Sequence, residues 1–108
     1  MGRIHHISTA LTIASGGTSS GSVGRAALRA ARAIAIFAPA TLPETVNIAV
    51  SNDGGSTYCT LQSGGSDIAI AAGKALVIDA VAFDDLRLTA TGAVGANRAF
   101  TTHVVEEV

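Results

Sequence analysis

Residues 46–61 hold the pattern that most narrows the fold. Val46, Ile48 and Val50 alternate with Asn47, Ala49 and Ser51, the two-residue period of a strand with one buried face. Asn52, Asp53, Gly54 and Gly55 follow, residue types that accept positive φ at little steric cost. Tyr58, Cys59, Thr60 and Leu61 then resume an extended run. The segment reads as a strand, a tight glycine turn and a second strand, which sets the architecture as antiparallel β.

Other segments repeat the theme. Ile7, Leu11 and Ile13 stand on one face of a first strand over residues 4–14, with His6, Ser8 and Thr12 on the other. Residues 15–22 are Ser, Gly and Thr, a flexible connection with no core-forming residue. Residues 24–32 are ambiguous. Arg25, Arg29 and Arg32 would share one face of a helix. The position between strands and the lack of acidic residues in a first turn favour extended or irregular backbone. Ile34, Ile36 and Phe37 mark a buried strand over 33–38, and Pro39 and Pro43 bracket the loop after it.

Beyond the central hairpin lie a glycine turn at Gly64 and Gly65 and a short strand over 67–71 with Ile68 and Ile70 inward. A strand over 75–80 is centred on Leu76, Val77 and Ile78, and Phe83, Asp84 and Asp85 make a corner. Strands over 86–91 and 98–105 complete the series. Seven or eight short strands, with turn signals about every ten residues, predict an all-β antiparallel β-sandwich, jelly-roll-like. Residues 1–22 read as an N-terminal strand and flexible arm, fit to complete a partner's sheet edge. Residues 23–108 read as the sandwich domain.

Hydrophobic residues are 48% of the chain, yet aromatics are 4% and Trp is absent. The core must come from Val, Ile, Leu and Ala, with Phe37, Phe83 and Phe100 as its large pieces. Charged residues are 14% and the net charge is −1, well short of the roughly one quarter usual in soluble domains. Such a surface suits coverage by other subunits. The absence of a basic stripe argues against a nucleic-acid partner. A single cysteine, Cys59, excludes an intrachain disulfide and reads as a small buried hydrophobe in the second hairpin strand. Neither a signal-peptide pattern nor an apolar run of about 18 residues is present, so no signal peptide and no membrane span is expected.

Chemistry-bearing residues give little. His5 and His6 are neighbours on a strand and point to opposite faces, and neither they nor His103 has Cys or carboxylate at ligand spacing. No metal and no cofactor is expected. Asn52 to Ser56 lacks the carboxylate ladder of a calcium loop. No Ser stands in a nucleophile elbow, and the glycine pairs lack a following Lys and Ser or Thr. The expectation is a protein without catalytic residues. Asp84 and Asp85 read as a solvated corner or as a contact to a cation or a partner's Arg. The Arg25, Arg29 and Arg32 cluster reads as a solvated face or as a contact to an acidic neighbouring subunit. The candidate subunit-contact residues are thus Arg25, Arg29, Arg32, His5, His6, Asp84 and Asp85.

Ala35 to Ala40, the hairpin Ser51-Asn52-Asp53-Gly54-Gly55-Ser56-Thr57-Tyr58 and the run Ala80-Val81-Ala82-Phe83-Asp84-Asp85-Leu86-Arg87-Leu88 resemble small bacteriophage virion proteins. The likeness spans residues 33–105, and the Arg-rich stretch departs from it. It implies a structural role on the particle: capsid decoration or cement, or a head, neck or tail accessory. The implied partners are the major capsid protein, other virion proteins and further copies of this chain, with a trimer expected from the symmetry of capsid positions. The implied location is the virion, on the capsid exterior, after synthesis in the host cytoplasm. A carbohydrate-binding host-recognition module is the rival of another class, disfavoured by a single Tyr and no Trp.

Overall fold

The computed structural model describes residues 4–24, 28, 31–79 and 81–107. Alternation becomes strand in the long runs, whereas the strand expected over 67–71 breaks at the partly buried Ile68 into two two-residue strands. β1 (Ile4–Ile13), β3 (Ala31–Phe37), β4 (Val46–Ser51), β10 (Asp85–Ala90) and β11 (Arg98–Glu107) are the long members. β2 (Ser19–Ser22), β5 (Cys59–Thr60), β8 (Ala69–Ile70) and β9 (Ala75–Ile78) are short, and β6 (Gln62–Ser63) and β7 (Ser66–Asp67) form a separate two-stranded hairpin.

One antiparallel sheet runs in the order β5-β4-β10-β2-β1-β11-β3-β9, and β8 also pairs with β4. It curls into a half-barrel. Its β1–β11–β3–β9 wing and its β10–β4 wing enclose one core. The expectation of an all-β antiparallel fold is met, but the wings are continuous through β2 where a jelly roll has two separate sheets.

β2 explains the continuity. Residues 15–22 were expected to be a flexible connection, but Ser19–Ser22 pairs with β1 on one side and with β10 on the other. Ser20 is buried, and its Oγ accepts the Leu88 N–H at 3.0 Å while donating to the Gly21 carbonyl. Serine and glycine are short enough for a sheet to bend sharply without side-chain collision, and Ser20 replaces part of the ladder that the bend disrupts. The N-terminal arm is corrected by the same observations. β1 lies at the middle of the sheet, paired with β11 along its whole length from Ile4↔Glu107 to Ile13↔Arg98. Leaving Leu11 and Ile13 in water would forfeit about 2 kcal/mol each, whereas here both are buried.

The core consists of Leu11, Ile13, Ile34, Ile36, Ile48, Leu86, Leu88, Phe100 and Val104, together with Val23, Leu28, Leu42, Val46, Ile70 and Val94. Of the three Phe residues only Phe100 belongs to it. Phe37 is 46% exposed, Phe83 is half-buried, and Cys59 is exposed rather than buried. Alternation fixes which residues share a face, but not which face turns inward. Thr102 sits within the core at 0% exposure because its Oγ1 donates to the Thr9 carbonyl at 2.8 Å. At the rim, Arg98 clamps Glu44 with Nε–Oε1 at 2.9 Å and a second bond at 3.1 Å, fastening the loop after β3 to β11. This fork holds the Glu44 carboxyl below its ordinary range and lifts Arg98 above its own.

Candidate functional site

Polar side chains concentrate at one end of the half-barrel, where the β4–β5 loop meets the corner before β10. The central hairpin does form, with Ala49 opposite Thr60 and Val50 opposite Cys59. The connection is a seven-residue loop, 52–58, rather than a tight turn, and Asp53 organises it. One Asp53 oxygen accepts from the Ser51 hydroxyl at 2.7 Å and the Thr57 N–H at 2.9 Å, and the other accepts from the Thr57 hydroxyl. Ser51 Oγ in turn accepts from the Gly55 N–H at 2.9 Å.

The Thr57 hydroxyl, the Thr57 N–H and the Ser51 hydroxyl together depress the Asp53 pKa to about 2. A depressed carboxyl stabilises the fold above its unfolded value of about 3.9, and that contribution disappears as pH falls through the folded value. Carboxyl-detected NMR titration should therefore place Asp53 near pH 2. The Thr57 amide resonance should shift with it, between about pH 3 and pH 1, while distant core resonances stay fixed.

Asp85 is the second organiser. It is 5% exposed and accepts from the Gly24 N–H at 2.9 Å, the Leu86 N–H at 2.8 Å and the Tyr58 hydroxyl at 3.0 Å. Burial and then Asp85 itself push the Tyr58 phenol above its ordinary value, with Ser22 and Arg87 pulling the other way. The Arg87 guanidinium lies over the Tyr58 ring, 4.1 Å from its centre, a cation–π contact. Gly55 passes beneath this group at φ +94°. A Cβ there would come within 3.0 Å of both Asp85 Oδ2 and the Tyr58 hydroxyl, so the loop closes only with glycine at that point.

Two open clefts flank Phe83. One, of about 420 Å³, is lined by Leu28, Ala31, Val81, Phe83, Asn52 and Asp84; the other, of about 310 Å³, lies between Val50, Leu61, Phe83, Thr57 and Cys59. The Asp85 carboxylate is occupied by internal donors. His103 is distant from it, on the outer face of β11, with its ring edge-on to Phe37 at 5.5 Å. Among the described residues no group of three His, Cys, Asp or Glu is placed to hold a metal ion. The end of the half-barrel is thus a structural knot flanked by two clefts, a mainly polar one at Asn52 and Asp84 and a mainly apolar one at Val50 and Leu61.

The candidate contact residues separate accordingly. Arg25 and Arg29 lie outside the described residues. Arg32 is exposed in β3, at the bulge opposite Val105 and Glu106, so it shares no helical face with them. Leu28 alone is described between residues 24 and 31, with helical backbone and a buried side chain. His5 and His6 pair with Glu106 and Val105 in the middle of the sheet. Asp84 is half-buried and accepts the Gly54 N–H at 3.1 Å. Asp85, buried and internally bonded, is corrected from a subunit contact to a tie between the 52–58 loop, residue 24 and β10. No spacing signalled this role, because its partners are brought in by tertiary folding.

No protein-family model matches the chain, and no curated protein matches it by sequence. The fold has relatives. One is YomS, a protein derived from the SPBc2 prophage, with TM-score 0.63 and 11% identity over 94% of this chain and 96% of that one. Another comes from Bacillus endospore appendages, described as disulfide-linked pili, with TM-score 0.59 and 13% identity over 100% of this chain and 91% of that one. The likeness is one of fold.

Among the described residues no helix is long and apolar enough to cross a membrane.

Proposed function

We propose that this chain is a structural subunit of a bacteriophage particle, held there by contacts with other subunits and carrying out no reaction. The observation that carries the reading is the outer face of the β1–β11–β3–β9 wing. Its outward positions are Ser8, Ala10 and Thr12 on β1; Ala99, Thr101, His103 and Val105 on β11; Ala33, Ala35 and Phe37 on β3; and Ala75 and Val77 on β9. None of these is Lys, Arg, Asp or Glu; the exposed Arg32, at the β3 bulge, is the charge at the margin of the face. A solvated sheet face normally carries charge to keep copies apart, so this face suits coverage.

Fold likeness to a prophage-derived protein supports the phage setting, and likeness to a pilus protein supports repetition of the subunit. The finer assignment is decoration or cement on the capsid exterior, against the major capsid protein, after synthesis in the host cytoplasm. Weak contacts repeated over many copies would add up to particle stability.

Quantitative mass spectrometry of purified particles from the phage or prophage carrying the gene tests this. Copies in fixed proportion to the shell protein are expected. A few copies per particle, matching a ring on the portal-tail axis, would move the subunit to the neck or tail. Absence from the particle ends the reading.

A further inference from the structure

We infer that the free edge of β9 is a joint between two copies of this chain, with their β9 strands paired antiparallel across a two-fold axis at Val77. The inference rests on the structural-subunit reading and names the surface by which it begins.

β9 (Ala75–Ile78) ends the sheet and pairs with β3 alone; among the described residues no strand meets its other side. The Ala38 N–H donates to the Lys74 carbonyl at 2.9 Å, which fixes the phase of the β3–β9 ladder. Residues 74, 76 and 78 bond toward β3, so the N–H and C=O groups of Ala75 and Val77 face outward. Exposed edges are normally blunted by charge, proline, a bulge or brevity. The opposite edge follows that rule, with two-residue strands β5 and β8. β9 has neither charge nor proline. It also carries Val77, 57% exposed, beside the 46% exposed Phe37 of β3.

Charge decides the direction. Lys74 precedes the strand and Asp79 follows it, both exposed. Antiparallel pairing sets the Lys74 end of one copy beside the Asp79 end of the other, twice, whereas parallel pairing sets like beside like. The pleat and the exposed side chains set the register. Directly opposed residues must share a face, which leaves Val77 against Val77 or Ala75 against Val77; the first brings the two exposed Val77 side chains together, and Ala75 then meets residue 79 of the other copy. The ladder cannot run further, because Gly73 leaves the strand at φ +66°. An edge of four residues is a small joint, suited to repetition rather than to a tight isolated dimer.

The test uses the full chain with Cys59→Ser to remove the exposed thiol. In the proposed register a cysteine at 77 faces its twin at a Cα separation of about 5.5 Å, within disulfide reach. Cysteines at 75 lie about 13 Å apart along the strands. Under mild oxidation, Cys59→Ser/Val77→Cys should form a covalent dimer at least tenfold faster than Cys59→Ser/Ala75→Cys. In sedimentation velocity, the wild-type chain should associate reversibly between about 10 μM and about 1 mM, and Val77→Lys should weaken this at least tenfold with an unchanged circular dichroism spectrum and melting temperature. Equal oxidation rates, or a wild-type chain that stays monomeric throughout, overturn the joint. Association that Val77→Lys leaves intact overturns it too. None of these results touches the structural-subunit reading, which falls only on absence from the particle.

Discussion

Replacing Phe100 by alanine should lower stability by about 4 kcal/mol, the middle of the range for emptying a packed aromatic site. The reason lies in how this core is built. Phe100 is 1% exposed on the central strand β11, directly opposite Leu11 of β1. It is the one aromatic among the core residues, since Phe37 faces outward and Phe83 lines the end clefts. The surrounding Ile, Leu and Val side chains are branched and locked in strands, so they cannot swing in to refill the space. A domain of this size holds roughly 5–15 kcal/mol in total, so the variant should lose between about a quarter and four fifths of it. Urea unfolding followed by far-UV circular dichroism should show a much lower midpoint at an unchanged slope. Phe37→Ala is the internal comparison. At 46% exposure it should cost about 1 kcal/mol or less.

Asp85→Ala should be the second large loss, about 3 kcal/mol. The substitution removes one acceptor and strands three donors: the Gly24 N–H, the Leu86 N–H and the Tyr58 hydroxyl. Each buried donor left unpaired costs on the order of 1 kcal/mol or more. Tyr58→Phe removes one donor but keeps the carboxylate bonded to two others, and should cost about 1 kcal/mol. Combining both changes should cost less than their sum, because they share a bond. Thermal melts of the single and double variants measure this. An Asp85→Ala variant as stable as the parent would show that the knot at the end of the half-barrel is not what holds residue 24 and the 52–58 loop in place.

These two residues also show what could be read in advance. The strands β1, β3, β4, β10 and β11 were legible because Ile, Leu and Val alternate with polar or small residues over six or more positions. The hairpin between β4 and β5 was legible in existence but not in loop length, because Asp53 builds a wide loop that its sequence disguises as a tight turn. β2 was not legible. A run of Ser and Gly carries no periodicity, and only the need to join two wings makes it a strand. Face assignment failed at Phe37 and Cys59 for a related reason: apolar character was equated with burial, and this chain places apolar residues outside. At the end of the half-barrel, Asp85 looked like a surface corner because its partners at residues 24 and 58 are remote in sequence. Val77 was read as the centre of an ordinary strand; that its strand ends the sheet follows from topology alone.

The full-length pairing of β1 with β11 has a temporal consequence. Leu11 has no lasting shelter until Phe100 has been synthesised, and β3, β10 and β2 all dock onto strands that depend on this pair. A ribosome-bound chain therefore cannot settle stepwise from its first residues. Contacts so distant in sequence also make for slow folding. Freshly made molecules should spend an unusually long interval with their apolar ribbons uncovered, the interval in which a chaperone would find them.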